Sequence, residues 1–135
     1  MAEDYAREVG KHSEITYSTE KAMQSAMSSL FSPSLTLKVC VLEGKMVGFI
    51  WACVGPLFIW SEDIVAMDQI LYVKPEYRGT RAGVSLIKAY LSWAKDMGAK
   101  EARISCGSGI HEERTNALYE KLGFLRVGAY HRRPL

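Results

Sequence analysis

The stretch Asp68–Gly98, DQILYVKPEYRGTRAGVSLIKAYLSWAKDMG, decides how this chain folds. It continues an apolar run, Ile64–Val73, which reads as a central strand covered on both faces apart from Asp68 and Gln69. Lys74-Pro75-Glu76-Tyr77 turns the chain, Arg78-Gly79-Thr80-Arg81-Ala82-Gly83 crosses it, and a helix then runs to a stop at Gly98. Val84, Ile87, Leu91 and Ala94 fall on one helical stripe, with Leu86, Tyr90, Trp93 and Met97 beside it, a face wide enough to pack on a sheet. A strand feeding a glycine-bearing turn and a helix makes an anion site. The first helical N–H groups have no intrahelical acceptor, and the dipole favours negative charge there. Gly79 and Gly83 allow close backbone approach, while Arg78 and Arg81 add fixed positive charge. The stretch is therefore either a phosphate or pyrophosphate cradle or an ordinary strand-to-helix connection with surface arginines.

Working outward, Leu35–Leu42 and Met46–Cys53 read as the two strands of a hairpin around Glu43-Gly44-Lys45. Gly55-Pro56 calls for a bend before Leu57-Phe58-Ile59-Trp60. Ahead of the hairpin, Ser18 or Thr19 can cap a helix whose Met23, Ala26, Met27 and Leu30 are spaced as a core face, and Pro33 bars its continuation. Residues 1–14 are polar and expected to be loose. Beyond Gly98, Ala102–Cys106 reads as a short strand, parallel to Ile64–Val73 if the intervening helix is a right-handed crossover. A helix over His111–Leu122 ends at Gly123, and Phe124–His131 reads as a last strand.

At 135 residues the chain reads as one domain with room for a real core. A net charge of only +2 removes any global case for nucleic acid or anionic membrane. The odd count of three cysteines, without a CxxC pair, argues for a reducing compartment and against a disulfide framework or metal site. The N-terminal stretch has no apolar signal core, and no apolar run approaches the ~20 residues that span a bilayer. A cytoplasmic protein is expected.

The order of elements and two local patterns resemble the GNAT superfamily of acyl-CoA-dependent N-acetyltransferases. Val73-Lys74-Pro75-Glu76-Tyr77-Arg78-Gly79-Thr80-Arg81-Ala82-Gly83 is similar to that family's strand end and Q/R-x-x-G-x-G/A loop. Ala117-Leu118-Tyr119-Glu120-Lys121-Leu122-Gly123-Phe124 is similar to its tyrosine-bearing helix end. The resemblance extends over Leu35–Tyr130. It departs at Arg81, where the loop usually has its central glycine, and at Glu112, where an asparagine often stands. It also lacks a counterpart of the family's first strand, so a shortened acceptor side is expected.

The resemblance implies an α/β fold. Its mixed sheet would have about six to seven strands, a splayed central parallel pair (Ile64–Val73 and Ala102–Cys106) and three to four flanking helices. It implies acetyl-CoA as co-substrate and no metal. The pantetheine arm would enter the splay beside Leu71, Tyr72 and Val73, and the pyrophosphate would sit on the amides of Arg78, Gly79, Thr80, Arg81, Ala82, Gly83 and Val84. The acceptor would be an amine, on a small molecule or a protein, and the family's pairing through late strands leaves a homodimer open.

Acetyl transfer needs a neutral amine, a stabilised oxyanion and a proton for the departing thiolate. A lysine-type amine has a pKa of ~10.4, so something must accept its proton. Tyr119 matches the family's tyrosine and can act as the general acid; its other reading is a ring anchoring helix to sheet. Asp68 can act as a base through water, or be a paired strand-end carboxylate. The N–H of Leu71 or Tyr72 is the expected oxyanion donor. His111 reads as a cap or surface residue, and Cys106 lacks the histidine–acid partners of a nucleophile, which favours direct transfer. Two competing readings remain: a non-catalytic acyl-CoA-binding or interaction module on the same fold, and a nucleotide-phosphate binder. The second lacks both a Walker lysine–serine pair and a full GxGxxG.

Overall fold

The computed structural model describes residues 1–10 and 15–135. In chain order its elements are helices α1 (Ala2–Val9) and α2 (Thr19–Phe31), strands β1 (Leu35–Leu42), β2 (Lys45–Pro56) and β3 (Ile64–Val73), helix α3 (Ala82–Asp96), strand β4 (Ala102–Arg103) and helix α4 (Glu112–Lys121). The chain divides into two compact units. One holds Met1 and Ser18–Ile104, the other Ala2–Tyr17 and Ser105–Leu135.

The first unit is a four-stranded sheet ordered β1-β2-β3-β4, antiparallel up to β3 and parallel between β3 and β4. Glu43 and Gly44, both at positive φ, close the first hairpin as a primed turn, the type that matches strand twist. Between β2 and β3 the register slips: Trp51 faces Ile70 and Ala52 faces Asp68, which leaves Gln69 as an extra residue. That bulge flips the parity of β3. Ala66 and Leu71 lie an odd number of residues apart, yet both pack with the same cluster beneath α3.

The cluster joins Ile50, Ala52 and Ala66 of the sheet to Leu86, Tyr90 and Ala94 of α3. Each buried Leu or Ile there contributes roughly 1.5–3 kcal/mol. α3 ends as expected, with Gly98 at φ +75° and the Ala99 N–H donating to Ala94 O at 3.0 Å.

Five expectations change. The sheet has four strands among the described residues, not six to seven. β4 is two residues long, and Phe124–His131 forms no strand; its Leu125, Val127 and Tyr130 are exposed. Alternating apolar residues make a strand only when a ladder partner accepts them, and among the described residues none does. α2 starts as expected, with Ser18 Oγ accepting from the Lys21 N–H at 3.2 Å, but Met23, Met27 and Leu30 are exposed and only Ser29 is buried. Its spacing is that of a core face, but among the described residues no layer covers it. The expectation of a loose start meets helix α1 over Ala2–Val9, stabilised at the surface by Arg7 with Glu3 and Asp4; residues 11–14 lie outside the described residues.

Candidate active site

The loop between β3 and α3 is held by its own backbone and by Thr80. Pro75–Tyr77 forms one 3₁₀ turn, and Gly79 takes φ +88°, a conformation that costs any other residue about 1–2 kcal/mol. Three of the seven amides from residue 78 to 84 are satisfied locally. Arg78 N–H donates to Pro75 O (3.2 Å), Thr80 N–H to Tyr77 O (3.3 Å) and Ala82 N–H to Thr80 Oγ1 (3.2 Å). The first helical bond is Ser85 N–H to Arg81 O. Among the described residues, the amides of Gly79, Arg81, Gly83 and Val84 have no such local acceptor, as first-turn amides of a helix commonly do not. Arg81 stands at φ −72°, ψ −7°, an ordinary right-handed conformation, so the glycine usual at that place is not required here.

Arg78 does more than supply charge. Its Nε donates to Val73 O at 2.9 Å, and its guanidinium carbon lies 5.7 Å from the centre of the Tyr72 ring. Those contacts tie the loop back to the end of β3.

β3 itself presents an open edge. Its pairing with β4 covers only Ala66↔Ala102 and Met67↔Arg103, flanked by Lys100 N–H to Ile64 O and Ala66 N–H to Glu101 O. From Asp68 onward no strand continues that ladder among the described residues. Which backbone groups lie on this open side follows from alternation. Lys74 N–H donates to Val47 O at 2.9 Å, so the backbone groups of Tyr72 and Ile70 also turn toward β2, and those of Leu71 and Val73 turn away. The backbone groups of Leu71 and Val73 thus lie on the side of β3 away from β2. The Tyr72 N–H turns toward β2 within the ladder, and its ring packs against Phe49 at 6.0 Å.

Asp68 shares strand parity with Ala66 and so lies on the α3 face of the sheet. Tyr90, fully buried, faces the same region: burial, then the charges of Asp68 and Cys53, push its phenol well above the usual range. The Tyr90 hydroxyl donates to Arg103 O at 2.6 Å, at the last registered pair of β3 and β4. Sequence reading took Tyr90 only as part of the packing stripe. Neither it nor the Gln69 bulge was foreseen, although two consecutive polar residues inside an apolar strand were the available sign of the bulge.

In the second unit Tyr119 is 7% exposed. Its ring lies 5.9 Å from that of Phe124, and its hydroxyl donates to Ser105 O at 3.1 Å. Gly123 at φ +88° turns the chain so that the Phe124 N–H reaches Tyr119 O, and the Ala117–Phe124 pattern thereby fixes the Tyr119 ring. His111, exposed and at φ 49°, is the N-cap residue of α4 but caps nothing with its side chain. Glu112 pairs weakly with Arg126 (3.9 Å) and lines a cleft of about 400 Å³ with Glu113, Asn116 and Glu120. Its acidic rim suits no phosphate. Cys106 Sγ lies 3.7 Å from Glu112 O.

The profile of the Acetyltransferase (GNAT) family matches residues 1–124. No curated protein matches the chain's sequence. Among solved structures, an acetyltransferase of Trypanosoma brucei superposes with a TM-score of 0.71 at 21% identity, covering 98% of this chain and 92% of that one. The aminoglycoside N-acetyltransferase AAC(6')-Iy, solved with a CoA bisubstrate analogue, gives 0.72 at 18% identity over 97% and 91%. Glucosamine-6-phosphate N-acetyltransferase of Arabidopsis thaliana gives 0.72 at 14% over 95% and 86%. At these identities the likenesses speak for the fold.

Proposed function

Since this chain belongs to the GNAT acetyltransferase family, we propose that it transfers an acetyl group from acetyl-CoA to a primary amine by direct attack, as one catalytic domain over residues 1–135 in the cytoplasm. The observation that carries the reading is the break in the β3–β4 ladder beside Leu71 and Val73, next to a helix N-terminus with open amides. An amide-bearing, phosphate-bearing co-substrate needs those two features together.

On this reading the amides of Gly79, Arg81, Gly83 and Val84 hold the pyrophosphate, with Arg78 and Arg81 adding charge. Leu71 and Val73 pair with the pantetheine amides, which sets the thioester against β3. The Leu71 N–H meets the oxyanion as the amine attacks. Tyr119 gives its proton to the departing thiolate; its present acceptor, Ser105 O, has no proton to supply in its place. Asp68 relays the amine's proton through water. The acceptor is a primary amine, and aminoglycosides and glucosamine 6-phosphate are reasonable first members of a screening panel because they are named for the structural neighbours.

Calorimetry with CoA and a free-thiol assay with acetyl-CoA over an amine panel test this. Micromolar CoA binding and amine-dependent thiol release are expected. Binding without turnover on any amine would leave the non-catalytic CoA-binding module. Absence of CoA binding would overturn the reading.

A further inference from the structure

Helix α3 carries two features that bear on one site. Its N-terminus supplies the open amides, and Tyr90, ~12 Å further along at 1.5 Å per residue, reaches the end of β4. The Tyr90 side chain is fully buried in the cluster with Ala52, Ala66 and Leu86, so its ring has no freedom to swing away. Its hydroxyl meets the carbonyl of Arg103, the residue at which registered pairing of β4 with β3 stops.

A carbonyl in a parallel ladder lies near the sheet plane, directed at the neighbouring strand. α3 packs on one face of the sheet, so the Tyr90 hydroxyl approaches the Arg103 carbonyl from that face and not from the neighbouring strand. The Gln69 bulge acts at the same level of β3, by removing the regular sequence of partners that a longer β4 would need. From this geometry we propose that Tyr90 is a positioning residue for the acyl-CoA site: its hydroxyl, bound to Arg103 O, ends the β3–β4 ladder and keeps the Leu71 and Val73 backbone open to the co-substrate. Burial and the neighbouring Asp68 and Cys53 keep the phenol protonated, so the donor persists across the working pH range. The inference rests on the proposed co-substrate reading, because it assigns a role at that same edge.

Tyr90→Phe removes the hydroxyl and keeps the ring. CoA affinity, measured by calorimetry, is expected to fall roughly tenfold, the scale of one lost buried hydrogen bond. Turnover at saturating acetyl-CoA is expected to change less than the KM for acetyl-CoA. Installing 4-aminophenylalanine at position 90, which restores an N–H donor on the same ring, should recover affinity. A Tyr90→Phe variant that melts earlier but binds CoA as the wild type does would show a purely structural hydroxyl and overturn the proposal. If Tyr90→Phe does not fold, the wild type decides by NMR. A slowly exchanging Tyr90 hydroxyl proton coupled to the Arg103 carbonyl is expected, and its absence removes the clasp. A wild type that binds no CoA at all would instead sink the co-substrate reading, and the proposal with it.

Discussion

Gly48 is the residue at which a single methyl group should be felt most. It is buried on β2 opposite Val73, and a Cβ built there would stand 2.6 Å from Tyr72 O and 3.2 Å from both Leu86 Cδ1 and Val73 Cγ2. The side-chain atoms can yield; the carbonyl belongs to the β2–β3 ladder and cannot move alone. To reach the 3.4 Å of ordinary contact, the backbones must separate by about 0.8 Å. That stretches the neighbouring bond from Lys74 N–H to Val47 O, now 2.9 Å, beyond hydrogen-bonding range. One weakened backbone bond costs about 0.5–1.5 kcal/mol and overpacking about 1–3, so Gly48→Ala should destabilise by roughly 2 kcal/mol. With about 2.1 cal/mol/K of unfolding entropy per residue, this is a drop of roughly 7 °C in Tm. Because the far edge of the displaced segment carries Leu71 and Val73, CoA affinity should fall with it, by roughly threefold or more. Gly55→Ala is the control: nothing lies within 4 Å of its Cβ, and its Tm should stay within about 1 °C of the wild type. Thermal melts and CoA titrations of both variants check the reasoning. Gly48→Ala melting within about 2 °C of the wild type would refute it, since the strands would then be shown to part without cost.

Three further outcomes are expected. Tyr119→Phe should lower kcat by about 10²–10³ while CoA binding holds, because a general acid contributes on that scale; full-rate turnover removes the acid assignment. Arg78→Gln removes one charge from the loop and the clamp on Val73 O, so CoA should bind several-fold more weakly and with a shallower salt dependence, read from titrations at two ionic strengths. An unchanged salt slope would mean that Arg78 serves the strand alone. Asp68→Asn should reduce kcat and erase the acid limb of its pH profile with little change in the KM for acetyl-CoA; a wild-type profile would return Asp68 to a structural role beside Tyr90.

Much of the candidate site's local backbone was legible because its signals are local. Val73 through Gly83 carries strand end, turn, glycine and helix start in one run, and each piece is specified by residues that touch one another along the chain. Tyr119 was legible for the same reason: Ala117–Phe124 contains the helix end, the turning glycine and the aromatic that packs on it. The exposed face of α2 and the unpaired Phe124–His131 segment were misread because spacing records only which residues could be buried together, not whether another layer arrives to cover them.

The sequence by itself determined the elements from α2 to α3 and helix α4, in their order, the glycine-bearing connection into α3, and the tyrosine-bearing helix end. Each depends on backbone dihedrals and side-chain periodicity within about a dozen residues. Tertiary structure alone decided which backbone groups of β3 are left outside the ladder. That depends on the extra residue at Gln69, on where β4 stops, and on a hydroxyl from α3 meeting the Arg103 carbonyl. A hydrogen bond has its direction only once both partners are placed, so the open edge exists only in the assembled sheet.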